Sequence, residues 1–197
     1  MTAQNLGHWF IRGRWLFQGL DLDLRPDRVY AVTGPSGSGK STLLSLLAGW
    51  EPPRAGMISR RDVSAVRWVF QNPVGVAGRS AIDHVALGFV ARGWTRRAAE
   101  TSAYELLEQF GLENVAASAF SALSGGEAQR LMLARGLASG PGLFLVDEPT
   151  AQLDRPTAAV VNSRLSALAE RGVIVVIATH DLDTRAQCTD VIDLGTL

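Results

Sequence analysis

The segment from Gly34 to Ser41, GPSGSGKS, carries the clearest chemical signal in the sequence. It fits the phosphate-loop pattern G-x-x-x-x-G-K-[ST] at every position. Glycines let such a loop turn its backbone N–H groups toward a polyphosphate, and the helix that follows adds partial positive charge. We therefore expect a nucleoside polyphosphate here, with Lys40 at the β- and γ-phosphates and Ser41 on Mg²⁺.

Two adjacent carboxylates, Asp147 and Glu148, follow the apolar run Leu143 to Val146. Adjacent carboxylates at the end of a strand repel each other unless a cation or a polar network compensates. The pair therefore predicts a Mg²⁺ site at Asp147, with Glu148 beside the nucleophile. A solvated loop start is the structural alternative.

Gln71 and His180 stand at corresponding places, after the predicted strands at 66–70 and 173–177. Parallel strands end at one edge of the sheet, where open α/β sheets bind their ligands. A lone histidine at a strand end is usually structural. Its expected place at the edge that also holds Gln71 and the carboxylates favours a functional role.

A second helix start is indicated by Leu123-Ser124-Gly125-Gly126-Glu127. Ser124 and Glu127 have capping-box spacing, which predicts a helix to about Ala138. Adjacent glycines cost a helix about 1 kcal/mol each if both lie inside it. Their better use is to bare the helix N-terminus, so that an anion can reach the backbone.

The elements that must position these residues form an α/β pattern. A half-exposed strand is expected where Leu20, Leu22 and Leu24 alternate with aspartates. The other predicted elements are a strand at 29–33, a helix at 42–48 ended by Gly49, a helical block at about 80–121 with Thr95 as an N-cap and Gly111 at a helix end, a helix capped by Asp154 and ended by Gly172, and a last helix and strand, the strand at 191–194.

Composition excludes several classes of function. Lys+Arg and Asp+Glu both number 19, so there is no electrostatic argument for nucleic acid as the main partner. Cys188 is the only cysteine, which excludes an internal disulfide and suits a reducing compartment. No apolar run reaches the roughly 18 residues that cross a bilayer. Work at a membrane would therefore need a partner.

Taken in order, these motifs resemble the ATP-binding subunit of an ABC transporter, over nearly the whole chain. The phosphate loop alone is common to P-loop NTPases, whereas LSGGE after a helical insert, then LFLVDE, the loop PTAQLD and the pair TH are specific to the ABC family. The resemblance implies an α/β fold with a P-loop NTPase (RecA-like) core, a small N-terminal antiparallel β subdomain and a helical signature subdomain. One domain, 1–197, would contain the ATP-binding core at about 1–75 and 130–197 and the helical subdomain at about 76–129.

The resemblance also implies roles for individual residues. Glu148 would act as general base, His180 would contact the γ-phosphate, and Gln71 would touch the metal or the attacking water and sense a transmembrane partner. Mg²⁺ would be held by Ser41, Gln71 and Asp147. The residues expected to bind ATP are Gly34, Pro35, Ser36, Gly37, Ser38, Gly39, Lys40, Ser41, Thr42, Phe10, Ser124, Gly125, Gly126 and Asp154. The signature residues among them, Ser124 to Gly126, act in trans in this family, where two subunits sandwich two ATP molecules, and Asp154 lies across the same interface.

The implied activity is ATP hydrolysis coupled to transmembrane transport, at the cytoplasmic face of the cell membrane. The implied partners are a second copy or a homologous ATPase subunit, together with transmembrane permease subunits, and no nucleic acid. A non-transport ABC ATPase acting on DNA or ribosomes is the alternative, and a nucleotide-binding scaffold without catalysis is a third. LSGGEAQR and the EPTAQLD loop resemble ATPases of the lipoprotein-release and macrolide-export type, whereas QNP also occurs in vitamin and metal importers.

The sequence departs from the family pattern at three places. The aromatic residue that stacks on adenine is expected well before Lys40, where Phe10 is the first choice and Trp9 and Trp15 are alternatives. Asp27-Arg28 stands where the family has a Gly-Glu or Gly-Asp turn. The stretch between Gly56 and Gln71 is shorter than usual, which predicts a trimmed N-terminal sheet.

Overall fold

The computed structural model describes residues 1–61 and 63–195. Within those ranges the chain forms two β-sheets and a set of α-helices. The strands are β1 (Thr2–His8), β2 (Phe17–Asp23), β3 (Val29–Thr33), β4 (Ala55–Ser59), β5 (Val66–Val69), β6 (Leu143–Asp147), β7 (Ile174–Ala178) and β8 (Asp190–Asp193). The helices are α1 (Lys40–Ala48), α2 (Ala81–Val90), α3 (Arg96–Gln109), α4 (Gly125–Ala138), α5 (Arg155–Ala169) and α6 (Leu182–Ala186), with 3₁₀ turns at Glu113–Val115 and Phe120–Ala122.

The larger sheet is parallel, with strand order β5-β6-β7-β3-β8. Its central strands β6 and β7 are buried along their whole length, in keeping with the apolar runs 143–146 and 174–178 that form them. The register pairs Val146 with Ile177 and Val32 with Ala178, so the strands end at nearly the same level. One edge therefore carries the segments that follow β3, β5, β6 and β7, as the sequence predicts.

The smaller sheet is antiparallel, in the order β2-β1-β4, which confirms the predicted N-terminal β subdomain. Leu20 and Leu24 are buried while Asp21 and Asp23 are exposed. The alternation in the sequence thus correctly predicted a half-exposed strand.

Apolar side chains fill both faces of the parallel sheet. Alternate residues of β6 point to opposite sides, with Phe144 and Val146 in one cluster and Leu143 and Leu145 in the other. The first cluster packs under the helices α2 to α5, and the second packs under α1 and the small sheet. The sheet edge that carries the functional loops is thus held between two cores.

Helices α2 and α3 pack beside α4 and account for most of the predicted helical block. Thr95 accepts a hydrogen bond from the N–H of Ala98 at 3.4 Å and caps α3, as predicted. The contact between α2 and α4 depends on a glycine, because a Cβ at Gly88 would lie 2.9 Å from the Cβ of Ala138. The subdomain boundaries stay a prediction. In the described ranges, no helix combines the length and the apolar character needed to cross a bilayer.

Candidate nucleotide site

The phosphate loop connects β3 to α1 and depends on glycine conformations. Gly37 and Gly39 have φ angles of 81° and 97°, in the left-handed region that other residues rarely adopt. Gly39 is the N-cap of α1, so the helix begins at Lys40, two residues before the predicted start.

Helix α1 differs from the other described helices at its N-terminus. Gly39 offers no side-chain hydrogen bond, whereas a side-chain oxygen caps each of the other five α-helices. The first N–H groups of a helix have no partner within the helix, and the helix dipole places partial positive charge there. The end of α1 is therefore left available to an anion.

Lys40 supplies the cation of this site. Its ammonium donates hydrogen bonds to the carbonyl oxygens of Gly34 at 2.9 Å and Pro35 at 3.2 Å. The charge is thus held at the loop by neutral acceptors, which a phosphate oxygen can replace with a stronger, charge-assisted bond.

Ser41 and Asp147 meet across the site from α1 and β6. The Ser41 hydroxyl donates to Oδ2 of Asp147 at 2.6 Å. Burial raises the pKa of the Asp147 carboxyl, and the neighbouring Glu148 raises it further, while the Ser41 hydrogen bond and Lys40 oppose the change. A carboxylate in this environment gains from a divalent cation, and both side chains offer the oxygen ligands that Mg²⁺ prefers.

Glu148 is buried and strained. Its φ is 48°, an uncommon value for a residue with a Cβ, and its N–H is held by the carbonyl of Ala178 at 2.9 Å. Its Oε1 lies 2.7 Å from Nδ1 of His180, and its Oε2 accepts from the Thr179 hydroxyl at 3.4 Å. The backbone therefore fixes the carboxylate beside a histidine that is itself mostly exposed.

These residues border one cavity of about 780 Å³. Among the described residues, those that line it are Phe10, Leu16, Gly34, Pro35, Ser36, Gly37, Gly39, Lys40, Ser41, Thr42, Gln71, Asp147, Glu148 and His180. The cavity thus joins the polar ends of four strands to an apolar mouth at Phe10 and Leu16.

The aromatic candidates have different surroundings. Phe10 lines the cavity, is 60% exposed, and meets the ring of His8 edge-on at 4.9 Å. Trp9 lies under the guanidinium of Arg54, and the Trp15 ring lies against Gly7.

The start of α4 lies outside this cavity. Ser124 caps the helix by accepting from the N–H of Glu127, and Glu127 accepts in return from the Ser124 N–H at 2.8 Å, which confirms the predicted capping box. The Ser124 hydroxyl also donates to Glu127 Oε2 at 2.7 Å, and these bonds lower the pKa of Glu127. Asp154 caps α5 through the N–H of Thr157 at 3.0 Å.

The comparison with protein families decides what these motifs belong to. The model of the ABC transporter family matches residues 17–151, which span the phosphate loop, the LSGGE motif and both carboxylates. The chain belongs to the ABC transporter family. ABC ATPases bind nucleotide and hydrolyse ATP.

Named ABC relatives share the greater part of the chain. The lipoprotein-releasing system ATP-binding protein LolD of Granulibacter bethesdensis is 41% identical over 181 residues, which cover 83% of this chain and 78% of the relative. The L-cystine transport system ATP-binding protein TcyN of Escherichia coli is 33% identical over 198 residues, covering 90% and 79%. The relatives support an ATPase of transporter type and do not favour the DNA- or ribosome-associated alternative.

Solved structures of ABC ATPases share the fold. A dimeric ATP-binding cassette in a post-hydrolysis state, bound to ADP and Pi, superimposes with a TM-score of 0.86 at 26% identity, covering 98% of this chain and 94% of that chain. A metal-chelate type ABC transporter in an inward-facing conformation gives 0.84 at 32% identity, covering 98% and 78%. The α/β fold with a P-loop core is thus confirmed.

The cavity contains most of the site residues that the ABC resemblance predicts. Within the phosphate loop, Ser38 does not line it. Four further predicted residues also lie outside the cavity: Ser124, Gly125, Gly126 and Asp154.

Sequence reasoning missed Leu16, Thr179 and Asp181. Leu16 lies between Trp15 and Phe17 and belongs to no motif. Asp181 caps α6 and could have been found from its place between a strand end and a helix. The contact of Thr179 with Glu148 has no signal in the sequence, since it joins residues 31 positions apart.

Proposed function

We propose that two copies of this chain, or one copy and a homologous subunit, close on two Mg-ATP molecules and hydrolyse them to drive cargo through partner membrane subunits. One observation carries the proposal. The uncapped start of α1, the Ser41–Asp147 pair and the Glu148–His180 pair all face one cavity.

Binding of ATP would begin at the phosphate loop. The free N–H groups of α1 would receive the phosphates, and the Lys40 ammonium would leave the carbonyls of Gly34 and Pro35 for the β- and γ-phosphate oxygens. Phe10 lines the mouth of the cavity and is exposed, which supports it over Trp9 and Trp15 as the residue that stacks on adenine.

Mg²⁺ fits the oxygen set of this site. Ser41 and Asp147 already touch, and the Gln71 amide lines the same cavity. When bound, the ion would neutralise charge on the phosphate oxygens. Asp147 would hold it, so that a divalent cation would compensate the burial of this carboxylate and the nearby charge of Glu148.

Glu148 would polarise the attacking water as general base. The strained backbone and the two hydrogen bonds leave its carboxylate little freedom to turn. His180 would reach the γ-phosphate, because its side chain is 74% exposed while its Nδ1 stays on Glu148.

The signature residues would serve the partner's nucleotide. Ser124 and Gly125 are exposed and do not line the cavity of their own chain. A second copy that faces the first head to tail would bring this helix start over the other phosphate loop, with Asp154 across the same interface.

A groove between β5 and α4 suits a membrane subunit. The groove has a volume of about 380 Å³ and is lined by apolar and aromatic side chains, by the cations Arg67 and Arg135, and by the neutral polar residues Asn72 and Ser139. Among the described residues, no carboxylate lines it. The rings of Trp68 and Phe70 extend it toward Trp50, which is 66% exposed. A helix of the membrane subunit that carries apolar and acidic side chains would match this surface. Docking on that helix would place the chain at the inner face of the cell membrane.

We assign the transporter to the lipoprotein-release type. Support comes from LolD proteins of several bacteria, including one from Caulobacter vibrioides that is 39% identical over 184 residues. The cargo itself would be recognised by the membrane subunits.

The test is Glu148→Gln in the dimer-forming protein. Gln keeps an acceptor for His180 but cannot take a proton, so turnover should fall by about 10² to 10⁴-fold, with ATP binding retained and an ATP-bound dimer accumulating. Turnover would be measured as phosphate release, binding by titration, and dimers by light scattering. Glu108→Gln, an exposed carboxylate on α3, is the control and should behave as the parent chain. Unchanged turnover of Glu148→Gln would refute the assignment of the base.

A further inference from the structure

A mostly buried polar cluster adjoins the Glu148–His180 pair and has no part in binding ATP as proposed. Its members come from three segments: Thr150 from the loop after β6, Asn162 from α5, and Thr179, Asp181 and Thr184 from the connection after β7 and from α6. Asp181 is half-buried and the other four are buried. Thr179 and Thr184 are at most 1% exposed, and Asn162 is 4% exposed. Burying so many polar groups is costly unless they bond to one another.

The cluster is an ordered chain of donors. Asn162 Nδ2 donates to Thr184 Oγ1 at 3.1 Å, and Thr184 Oγ1 donates to Asp181 Oδ2 at 2.6 Å. Thr150 Oγ1 lies 3.3 Å from the same carboxylate oxygen as a further donor. The Asp181 carboxylate therefore gathers hydroxyl groups from two parts of the chain.

The chain continues to the base. The N–H of Asp181 donates to Thr179 Oγ1 at 3.0 Å. A hydroxyl carries one proton, so Thr179 can accept from Asp181 and still donate to Glu148 Oε2, at 3.4 Å. That last bond is longer than the usual distance of about 2.7–2.8 Å between hydroxyl oxygens, and catalytic hydrogen bonds commonly shorten in the substrate complex.

Helix capping alone does not account for this arrangement. Capping of α6 needs only the bonds from the N–H groups of Asp183 and Thr184 to Asp181. It requires neither Thr150 nor a buried amide at Asn162, whose Oδ1 has no partner within the described ranges. An apolar residue would fill that position at lower cost. The hydrogen bonds of the cluster thus converge on Asp181, whose N–H in turn binds the Thr179 hydroxyl.

We propose that Thr179 is a positioning residue for Glu148, and that Asp181 holds Thr179 in place while tying it to the loop that starts at Thr150. That loop runs to Asp154, which the proposed dimer places at the subunit interface. Docking of the partner subunit against this loop would then change the position of Glu148 through the hydrogen bonds of Thr150, Asp181 and Thr179. The inference rests on the proposed function, since it needs Glu148 as the base.

The first test compares Thr179→Val with Thr179→Ser in the full-length, dimer-forming protein. Valine removes the hydroxyl at constant volume, so kcat should fall about tenfold while KM for ATP stays within about twofold. Serine keeps the hydroxyl and should restore kcat to within about twofold of the parent. Equal loss in both variants, or parent-like kcat in Thr179→Val, would overturn the proposal. Thr101→Val, at an exposed threonine of α3, is the matched control.

A second test covers the case in which Thr179→Val does not fold. Thr150→Val removes a donor to Asp181 and leaves Glu148 and Thr179 unchanged, so kcat should fall about threefold at unchanged KM. Where Thr179→Val does fold, this loss should disappear in the Thr179→Val background. Parent-like kcat in Thr150→Val, or losses that multiply independently in the double variant, would contradict the proposal. Glu148→Gln, measured in parallel, distinguishes failure of the proposed function from failure of this inference. Parent-like turnover of Glu148→Gln would refute Glu148 as the base. Lost turnover of Glu148→Gln together with parent-like turnover of Thr179→Val would refute only the positioning role of Thr179.

Discussion

A methyl group added at Gly125 tests whether the signature glycines serve their own chain or a partner. Gly125 is the first residue of α4, and its φ lies outside the left-handed region, so alanine can adopt the backbone. A Cβ there would lie 2.5 Å from Oε1 of Gln152, in the loop before α5. The clash within the chain is therefore with the end of one exposed, flexible side chain.

The expected cost to folding is small. The Gln152 oxygen must retreat by about 1 Å to reach ordinary contact, which costs about 0.5–1.5 kcal/mol if the side chain leaves its rotamer. Alanine is favoured over glycine in a helix by about 1 kcal/mol at interior positions. The two terms oppose each other, so the free energy of unfolding of Gly125→Ala should lie within about 1 kcal/mol of the parent chain.

The expected cost to turnover is large, because the methyl group would stand where the proposed partner nucleotide meets the helix. Displacement of a reacting group by about 1 Å can reduce a rate by about 10²-fold. ATP-driven dimerisation and phosphate release would be measured for Gly125→Ala, for Gln152→Ala and for the double variant. Full recovery in the double variant would show that the glycine only makes room for Gln152, and the reasoning about the partner would fail.

Two further changes probe features peculiar to this chain. Asp27 has a φ of 63° at the turn where glycine is usual in the family. Because glycine adopts this conformation without strain, Asp27→Gly should raise the free energy of unfolding, measured in urea, by about 0.5–1 kcal/mol. A lower free energy of unfolding in this variant would contradict the argument. His84 is buried, with Nε2 accepting from the Val76 N–H and Nδ1 on the Ser80 carbonyl. Burial lowers the pKa of His84, as do Arg135 and Arg79, whereas the Ser80 carbonyl and Asp83 oppose the change. The contribution of neutral His84 to the free energy of unfolding is therefore full above the ordinary pKa of about 6.5, and it is lost as the pH falls toward the lower pKa of the folded protein. The melting temperature of His84→Gln should accordingly decline less than that of the parent between pH 7 and 5, and parallel declines would refute this.

The parts of the site that the sequence predicted well are those set by local rules. Glycine conformations at 37 and 39, the capping box at Ser124 and the cap at Asp154 depend on residues within one turn of each other, so spacing reveals them. The meeting of Gln71, Asp147 and His180 also followed from the sequence, because parallel strands end at one edge.

Choices that depend on tertiary packing could not be predicted in this way. Spacing made Phe10 the first choice without excluding Trp9 and Trp15, and only the fold shows that Arg54 lies over the Trp9 ring and that Trp15 packs against Gly7. Thr179 was unreadable for the same reason, since its role comes from Glu148 and Asp181 together. The sequence also indicated a bare start for α4 without showing that Gln152 lies against it.

The two helix starts that the sequence treated alike differ in what occupies them. The start of α1 has no side-chain cap and faces the cavity of its own chain, so an anion can bind there without displacing a capping side chain. At α4 the Ser124 hydroxyl donates to Glu127, and Gln152 lies in front of Gly125. A phosphate can use that second helix only if Ser124 turns from Glu127 and Gln152 gives way, and a partner subunit would have to offset both costs. Under the proposed function, one chain is therefore prepared to hold ATP, whereas its signature helix becomes an anion site only when the dimer closes.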